Sequence, residues 1–301
     1  MRSFKDWSGL AAKGFAMGAA DLVPGVSGGT VAFITGIYDE LLSTISGLGI
    51  GTLKDLYKEG LKVVWIKYNL SFLAVLGMGL ISAVIALSGS IHWLQAEYPT
   101  ELRAFFFGLV LASAPLLSRE VKHKTVRKYS MILLGVLIAV TITSLPPAVQ
   151  SDSPLFLTIS GAIAICAMLL PGISGSFILL ILGAYTPVIT ALSNFDILRI
   201  GAFAVGALIG LLTFSRVLSR ILKHHHSTAI ALLTGFLLGS LHVLWPWKKQ
   251  IEMLYTHSDG REEWLLGNVL PNSTPNEFIL TIASVAIGAI LVTVLDRFSR
   301  S

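Results

Sequence analysis

The sequence predicts an all-α polytopic membrane protein arranged as an inverted-topology repeat, each half supplying one re-entrant helical hairpin and three transmembrane helices. Three observations predict it. Long apolar runs alternate with short polar loops, Lys and Arg collect in every second loop, and the segment Pro-Gly-(Val/Ile)-Ser-Gly occurs twice.

Composition sets the class. Of 301 residues, 54% are hydrophobic and 13% charged, against roughly 25% charged in soluble domains. The mean hydropathy is +0.77, and several runs approach the roughly 20 apolar residues that cross a hydrocarbon core as helix. One transmembrane domain over residues 1–301 follows. The net charge of +5 does not indicate nucleic acid, because the basic residues lie between apolar runs rather than on one patch; their expected partners are membrane lipids. Cys166 is the single cysteine, so an intrachain disulfide is impossible, and redox or zinc chemistry has no support. Residues 1–13 carry Arg2, Lys5 and Lys13 without a small-residue cleavage site, and read as mature sequence.

The first repeat, residues 1–147, begins with an apolar stretch at 14–45 that is interrupted by Pro24-Gly25. A broken helix leaves backbone groups unpaired, which is untenable against lipid, so the interruption must face protein or a wet cavity. About ten residues from Gly14 to the turn reach roughly halfway across a bilayer, the geometry of a re-entrant hairpin. Spans at 68–94, 102–118 and 129–145 follow. The second repeat, residues 148–301, opens with an interrupted stretch at 155–192 whose longer arms fit either a hairpin or two short crossings. Its spans are expected at 197–216, 227–245 and 278–295. Lys54, Lys58, Lys62 and Lys67, then Arg119, Lys122, Lys124, Arg127 and Lys128, then Arg216, Arg220 and Lys223 mark cytoplasmic loops, whereas the alternate loops are acidic or poor in positive charge. Both termini are therefore expected in the cytoplasm. The two hairpins would enter from opposite sides.

The repeat is visible in the residues. Laying Pro24 on Pro171 matches seven of the fifteen positions from Pro24 to Tyr38, including Ile34, Gly36 and Tyr38 on Ile181, Gly183 and Tyr185. Three crossings per half is an odd number, so the second half enters the membrane inverted, a recurrent design of secondary transporters.

The turns carry anion chemistry. A half-helix starting after Ser-Gly-Gly or Ser-Gly-Ser offers unpaired amides and a positive dipole end. Gly25, Gly28, Gly29, Gly172 and Gly175 let backbone approach a phosphate closely, and Ser27, Thr30, Ser174 and Ser176 add hydroxyls. The same small residues also suit close packing of the two hairpins. A phosphate-loop NTPase is disfavoured because neither turn ends in Gly-Lys-Ser/Thr.

Asp21, one turn before Pro24 in an apolar arm, has Met168 as its repeat counterpart. It fits either a proton or sodium coupling site or a local backbone cap. Arg103 enters the second span beside Phe105, Phe106 and Phe107, where it can grip a phosphate or snorkel to the interface. Arg199 stands similarly at the fourth span. His224, His225 and His226 are adjacent, and adjacent helix positions do not share a face, so they read as a basic interfacial cluster rather than a metal site. No cofactor and no metal are expected, and no catalytic constellation emerges.

The run from Gly14 to Thr30, GFAMGAADLVPGVSGGT, together with RAFFFG at 103–108, LPGISGS at 170–176 and LTGFLLGS at 233–240, resembles the bacterial polyprenyl-phosphate transporter family over nearly the whole chain. The resemblance implies a transporter, not an enzyme, that returns undecaprenyl phosphate or a related lipid carrier from the outer to the inner leaflet for cell-wall synthesis. It points to Asp21, Pro24, Gly25, Ser27, Gly28, Gly29, Thr30, Arg103, Pro171, Gly172, Ser174 and Gly175. A small-anion exchanger and a membrane lipid phosphatase remain as alternatives.

Overall fold

The computed structural model describes every residue except 1, 24, 119–124, 147, 149, 257–261, 273 and 301. The turn residue Pro24 and the loop cations Arg119, Lys122 and Lys124 lie outside the described residues.

Helix α1 (Phe4–Asp21) starts at a capping box in which the Ser3 amide donates to Asp6 at 2.7 Å. It therefore runs 18 residues, about 27 Å, much longer than the ten-residue arm expected from Gly14. The charged flank at Lys5 and Lys13 does not stop it, because helix is ended by caps and breakers rather than by charge. Helix α2 (Gly28–Ile34) doubles back along α1: the Gly28 amide meets Asp21 near the turn, and Lys13 Nζ donates to the Thr35 carbonyl at 2.8 Å farther down. Helix α3 (Tyr38–Gly47) completes the first interrupted stretch.

Where a plain loop was expected, α4 (Ile50–Glu59) and α5 (Leu61–Lys67) form two short helices broken at Gly60, with Lys67 bridging to Asp55 at 2.7 Å. Ile50, Leu53, Leu61 and Ile66 stay exposed beside the lysines, a pattern suited to a membrane surface. Then come α6 (Leu70–Glu97), α7 (Pro99–Ser118) and α8 (Val126–Thr143). The second interrupted stretch is α9 (Pro154–Leu169), α10 (Gly175–Ile181) and α11 (Tyr185–Ser193), with α10 and α11 bent by 109°.

The expected spans 197–216 and 227–245 correspond to the two arms of α12 (Ile197–Ser240), 44 residues in all, which meet at a kink where His225 leaves helical geometry. The segment between them, 217–226, holds no Gly or Pro, so helix continues up to that kink. At about 66 Å if straight, α12 is twice the hydrocarbon thickness. Beyond it, β1 (Lys248–Thr256) and β2 (Glu262–Asn268) pair antiparallel with two bulges, where sequence reading saw only a loop. Helix α13 (Pro275–Arg300) ends the chain.

Among the described residues, α6, α7, α8, α12 and α13 are long and apolar enough to cross a membrane. Met78, Ile81 and Ile85 of α6, Leu133 and Leu137 of α8, and Ile287 and Ile290 of α13 point outward. So much exposed apolar surface suits lipid rather than water. The protein is a mostly helical, multi-pass membrane protein.

Glycines set the helix contacts. Gly14 meets the Leu76 backbone and Gly79 that of Ala11, joining α1 to α6; Gly161 meets Phe203 and Gly206 meets Thr158, joining α9 to the first arm of α12. Gly108 and Gly288 seat α7 on α13, while Gly135 and Gly235 seat α8 on the second arm of α12. Helix α8 of the first sequence half and α13 of the second thus each pack on the other half. At the centre lie Phe33, Tyr38 and Leu42 of the first interrupted stretch against Ile230, Leu233 and Leu237 of α12.

A candidate anion site between two turns

Both turns follow one backbone path. Gly25 and Gly172 have φ of +83° and +86°, the left-handed region in which a side chain is strained, and Gly36 and Gly183 repeat the agreement at +72° and +70°. Their surroundings differ.

In the first turn the α2 amides have internal acceptors. Asp21 Oδ1 accepts from Gly28 N at 2.6 Å, and Ser27, the N-cap, accepts from Gly29 N at 3.1 Å. The carboxyl group stands at the start of a short helix, where it caps an amide that has no intrahelical partner. This is the local capping interaction expected as one of Asp21's two roles. In the second turn, Met168 occupies the equivalent place with its side chain against Gly175. Ser174 makes no cap bond there, and its hydroxyl pairs with that of Ser176 at 2.9 Å. Ser176 is exposed, whereas Ser27, Thr30 and Ser174 are buried.

The turns touch. Thr30 Oγ1 accepts from Gly172 N at 2.8 Å, and Ser27 Oγ donates to the Met168 carbonyl at 3.3 Å. Tyr38, a residue that sequence analysis noted only as a repeat match, donates its hydroxyl to the Leu169 carbonyl at 2.5 Å. Side chains of the first stretch therefore satisfy carbonyls at the end of α9 that have no intrahelical partner. Ser27, Gly29 and Thr30 of the first turn thus meet Met168 and Gly172 of the second; Gly25 and Gly28 instead face Val243 and Asp21, Gly175 faces Met168 of its own arm, and Ser176 marks the accessible edge.

Arg103 stands apart from this contact. It is half-buried, with Nε donating to the Pro246 carbonyl at 3.2 Å, at the end of the bundle that carries the strands. The chain before Pro246 reaches back to the first turn, where Gly25 faces Val243 and Leu244. Gln95, also missed in the sequence, donates to the Leu22 carbonyl at 2.9 Å and closes α1. With Ser88 and His92 it lines an open cleft of about 390 Å³ beside the first turn. Arg199 pairs with Asp152 and Asp196 and lies elsewhere. His224 and His226 turn to different partners, the Arg220 carbonyl and Asp39.

No solved structure matches the chain significantly. Residues 17–262 match the VCA0040-like family, described as undecaprenyl phosphate translocase-like. A protein of Vibrio cholerae named polyprenyl-phosphate transporter is 39% identical over 294 residues, covering 96% of each chain. A Staphylococcus aureus protein of the same name is 33% identical over 264 residues, covering 82% of this chain and 88% of that one. With its paired Pro-Gly turns in an apolar helical bundle and similarity along nearly its whole length, the chain belongs to the undecaprenyl phosphate translocase-like family.

Proposed function

We propose that this protein moves undecaprenyl phosphate, or a related polyprenyl phosphate, from the outer to the inner leaflet of a bacterial cytoplasmic membrane, returning the carrier for cell-wall polymer synthesis. The single observation that carries this reading is the match of almost the entire chain to polyprenyl-phosphate transporters. The phosphate is held between the two turns by Gly25, Ser27, Gly28, Gly29, Thr30, Gly172, Ser174, Gly175 and Ser176, with Arg103 on the approach. Asp21 is the coupling site for H+ or Na+. The direct hydrogen bonds between the turns support a shared site, and the exposed Ser176 supports entry from the second turn.

The architecture of this reading is an inverted repeat of two re-entrant hairpins, each with three crossings, and with both termini cytoplasmic. Support comes from the matched glycine contacts of α1 on α6 and α9 on α12, and from the exchange of α8 and α13 between halves. Rocking of such halves gives alternating access.

Leaflet accessibility of labelled undecaprenyl phosphate in proteoliposomes tests the transport reading. Wild type is expected to equilibrate the label far faster than empty vesicles, and Ser27→Ala and Arg103→Ala to slow it. Equal rates with and without protein overturn the reading. Efflux of inorganic phosphate alone would assign a small-anion exchanger instead.

A further inference from the structure

The end of the bundle that carries the strands holds cations the turns do not use. Arg103 reaches the Pro246 carbonyl, and two residues later Lys248 Nζ donates to the His242 carbonyl at 3.3 Å. Both acceptors are neutral, and among the described residues neither cation forms an ion pair. Burial, with Arg103 beside it, pushes the Lys248 amine down to about 8. Between these residues in the chain stands Trp247. Its indole N–H is the one buried side-chain polar atom without a hydrogen-bond partner among the described residues. Trp245, by contrast, donates to the Val269 carbonyl at 2.9 Å.

A guanidinium and an ammonium held by carbonyls of the 242–246 segment, with a buried indole donor next to them in the chain, match a group with several acceptor oxygens and a negative charge. The adjoining surface is apolar. The Trp247 ring stacks on Phe278 with centroids 5.8 Å apart, and Ile279, Leu280 and Ile282 continue exposed along α13.

We propose that Arg103, Lys248 and Trp247 form a second phosphate site at this end of the bundle, holding the headgroup of a lipid phosphate whose chain lies along the apolar flank of α13. It rests on the transport reading and extends it. The site receives the headgroup before the turns do, and the segment from Val243 to Pro246 links the two, since Gly25 packs on Val243 and Leu244.

The test is a lysine footprint on the full chain in nanodiscs of zwitterionic lipid at pH 8, read by mass spectrometry with an acylating reagent, using farnesyl phosphate, inorganic phosphate and farnesol as probes. A bound anion keeps Lys248 protonated. Acylation of Lys248 should therefore slow about tenfold with farnesyl phosphate, the effect of one pH unit in its titration, while Lys58 in the same sample is unchanged. Inorganic phosphate should protect more weakly at equal concentration, and farnesol not at all. Lys248→Arg should keep farnesyl phosphate affinity, and Lys248→Gln should lose about tenfold, one charge-assisted contact. Protection by farnesol, or none by farnesyl phosphate, overturns the site; equal protection by inorganic phosphate overturns the lipid assignment. The footprint uses wild-type protein, so a misfolded variant does not obscure it. Lipid movement with Lys248 unprotected removes this site alone, whereas Lys248 protected without lipid movement removes the transport reading and leaves the site.

Discussion

Thr30 Oγ1 accepts the amide hydrogen of Gly172 at 2.8 Å, so two turns 142 residues apart in sequence are joined by one buried hydrogen bond. Thr30→Val keeps the volume and removes the acceptor. The amide left unpaired costs about 1–3 kcal/mol. Thermal unfolding in detergent should drop accordingly, and Thr30→Ser should restore most of the loss. Equal stability of wild type and the valine variant would mean the turns are not held together this way.

Gly172 and Gly36 separate strain from crowding. Both have positive φ, but a Cβ on Gly172 would lie 2.8 Å from the Phe236 carbonyl oxygen, whereas nothing stands within 4 Å at Gly36. Gly36→Ala should therefore cost about 1–2 kcal/mol from the left-handed backbone alone. Gly172→Ala should cost clearly more, because backbone must move. The same unfolding measurement ranks them, and the reverse order would contradict the packing.

Asp21 holds the Gly28 amide at 2.6 Å. Asn retains an acceptor oxygen without the charge, and Ala retains neither, so Asp21→Ala should lose about 1–2 kcal/mol and Asp21→Asn much less. Lipid movement driven by a pH or sodium step then separates the two roles of this residue. An Asn variant that folds but no longer responds to either gradient identifies coupling; an unchanged response leaves Asp21 as a cap.

Lys248 gives a pH dependence of defined sign. Its amine titrates near 8 in the folded protein against 10.5 unfolded, so between those values the unfolded chain binds more protons and stability rises with pH. Below about pH 8 the penalty for the buried charge is present in full. Lys248→Met should accordingly raise the melting temperature at pH 7, with the advantage shrinking toward pH 10.5. A gain that does not change with pH would assign it to packing instead.

Several features were already legible in the sequence. Apolar runs located α6, α7, α8 and α13 because water and lipid sort residues locally, with no need of a partner. The repeated turns were legible because only glycine tolerates the backbone at Gly25 and Gly172. Gly206 with Gly210, and Gly235 with Gly239, keep the four-residue spacing of small residues that suits close helix contact, and each meets a neighbouring helix. The two arms of α12 fall where spans were expected, on either side of the kink at His225, although helix continues through most of the basic segment between them.

Taken alone, the sequence determined a multi-pass helical protein with two matched glycine turns in apolar surroundings, since composition, periodicity and positive φ are properties of neighbouring residues. Tertiary structure decided which groups those turns meet. Thr30 on Gly172, Ser27 on Met168, Tyr38 on Leu169 and Arg103 beside Lys248 are pairs distant in sequence. Such pairs arise only when buried backbone groups must find partners within the bundle, because lipid offers them none.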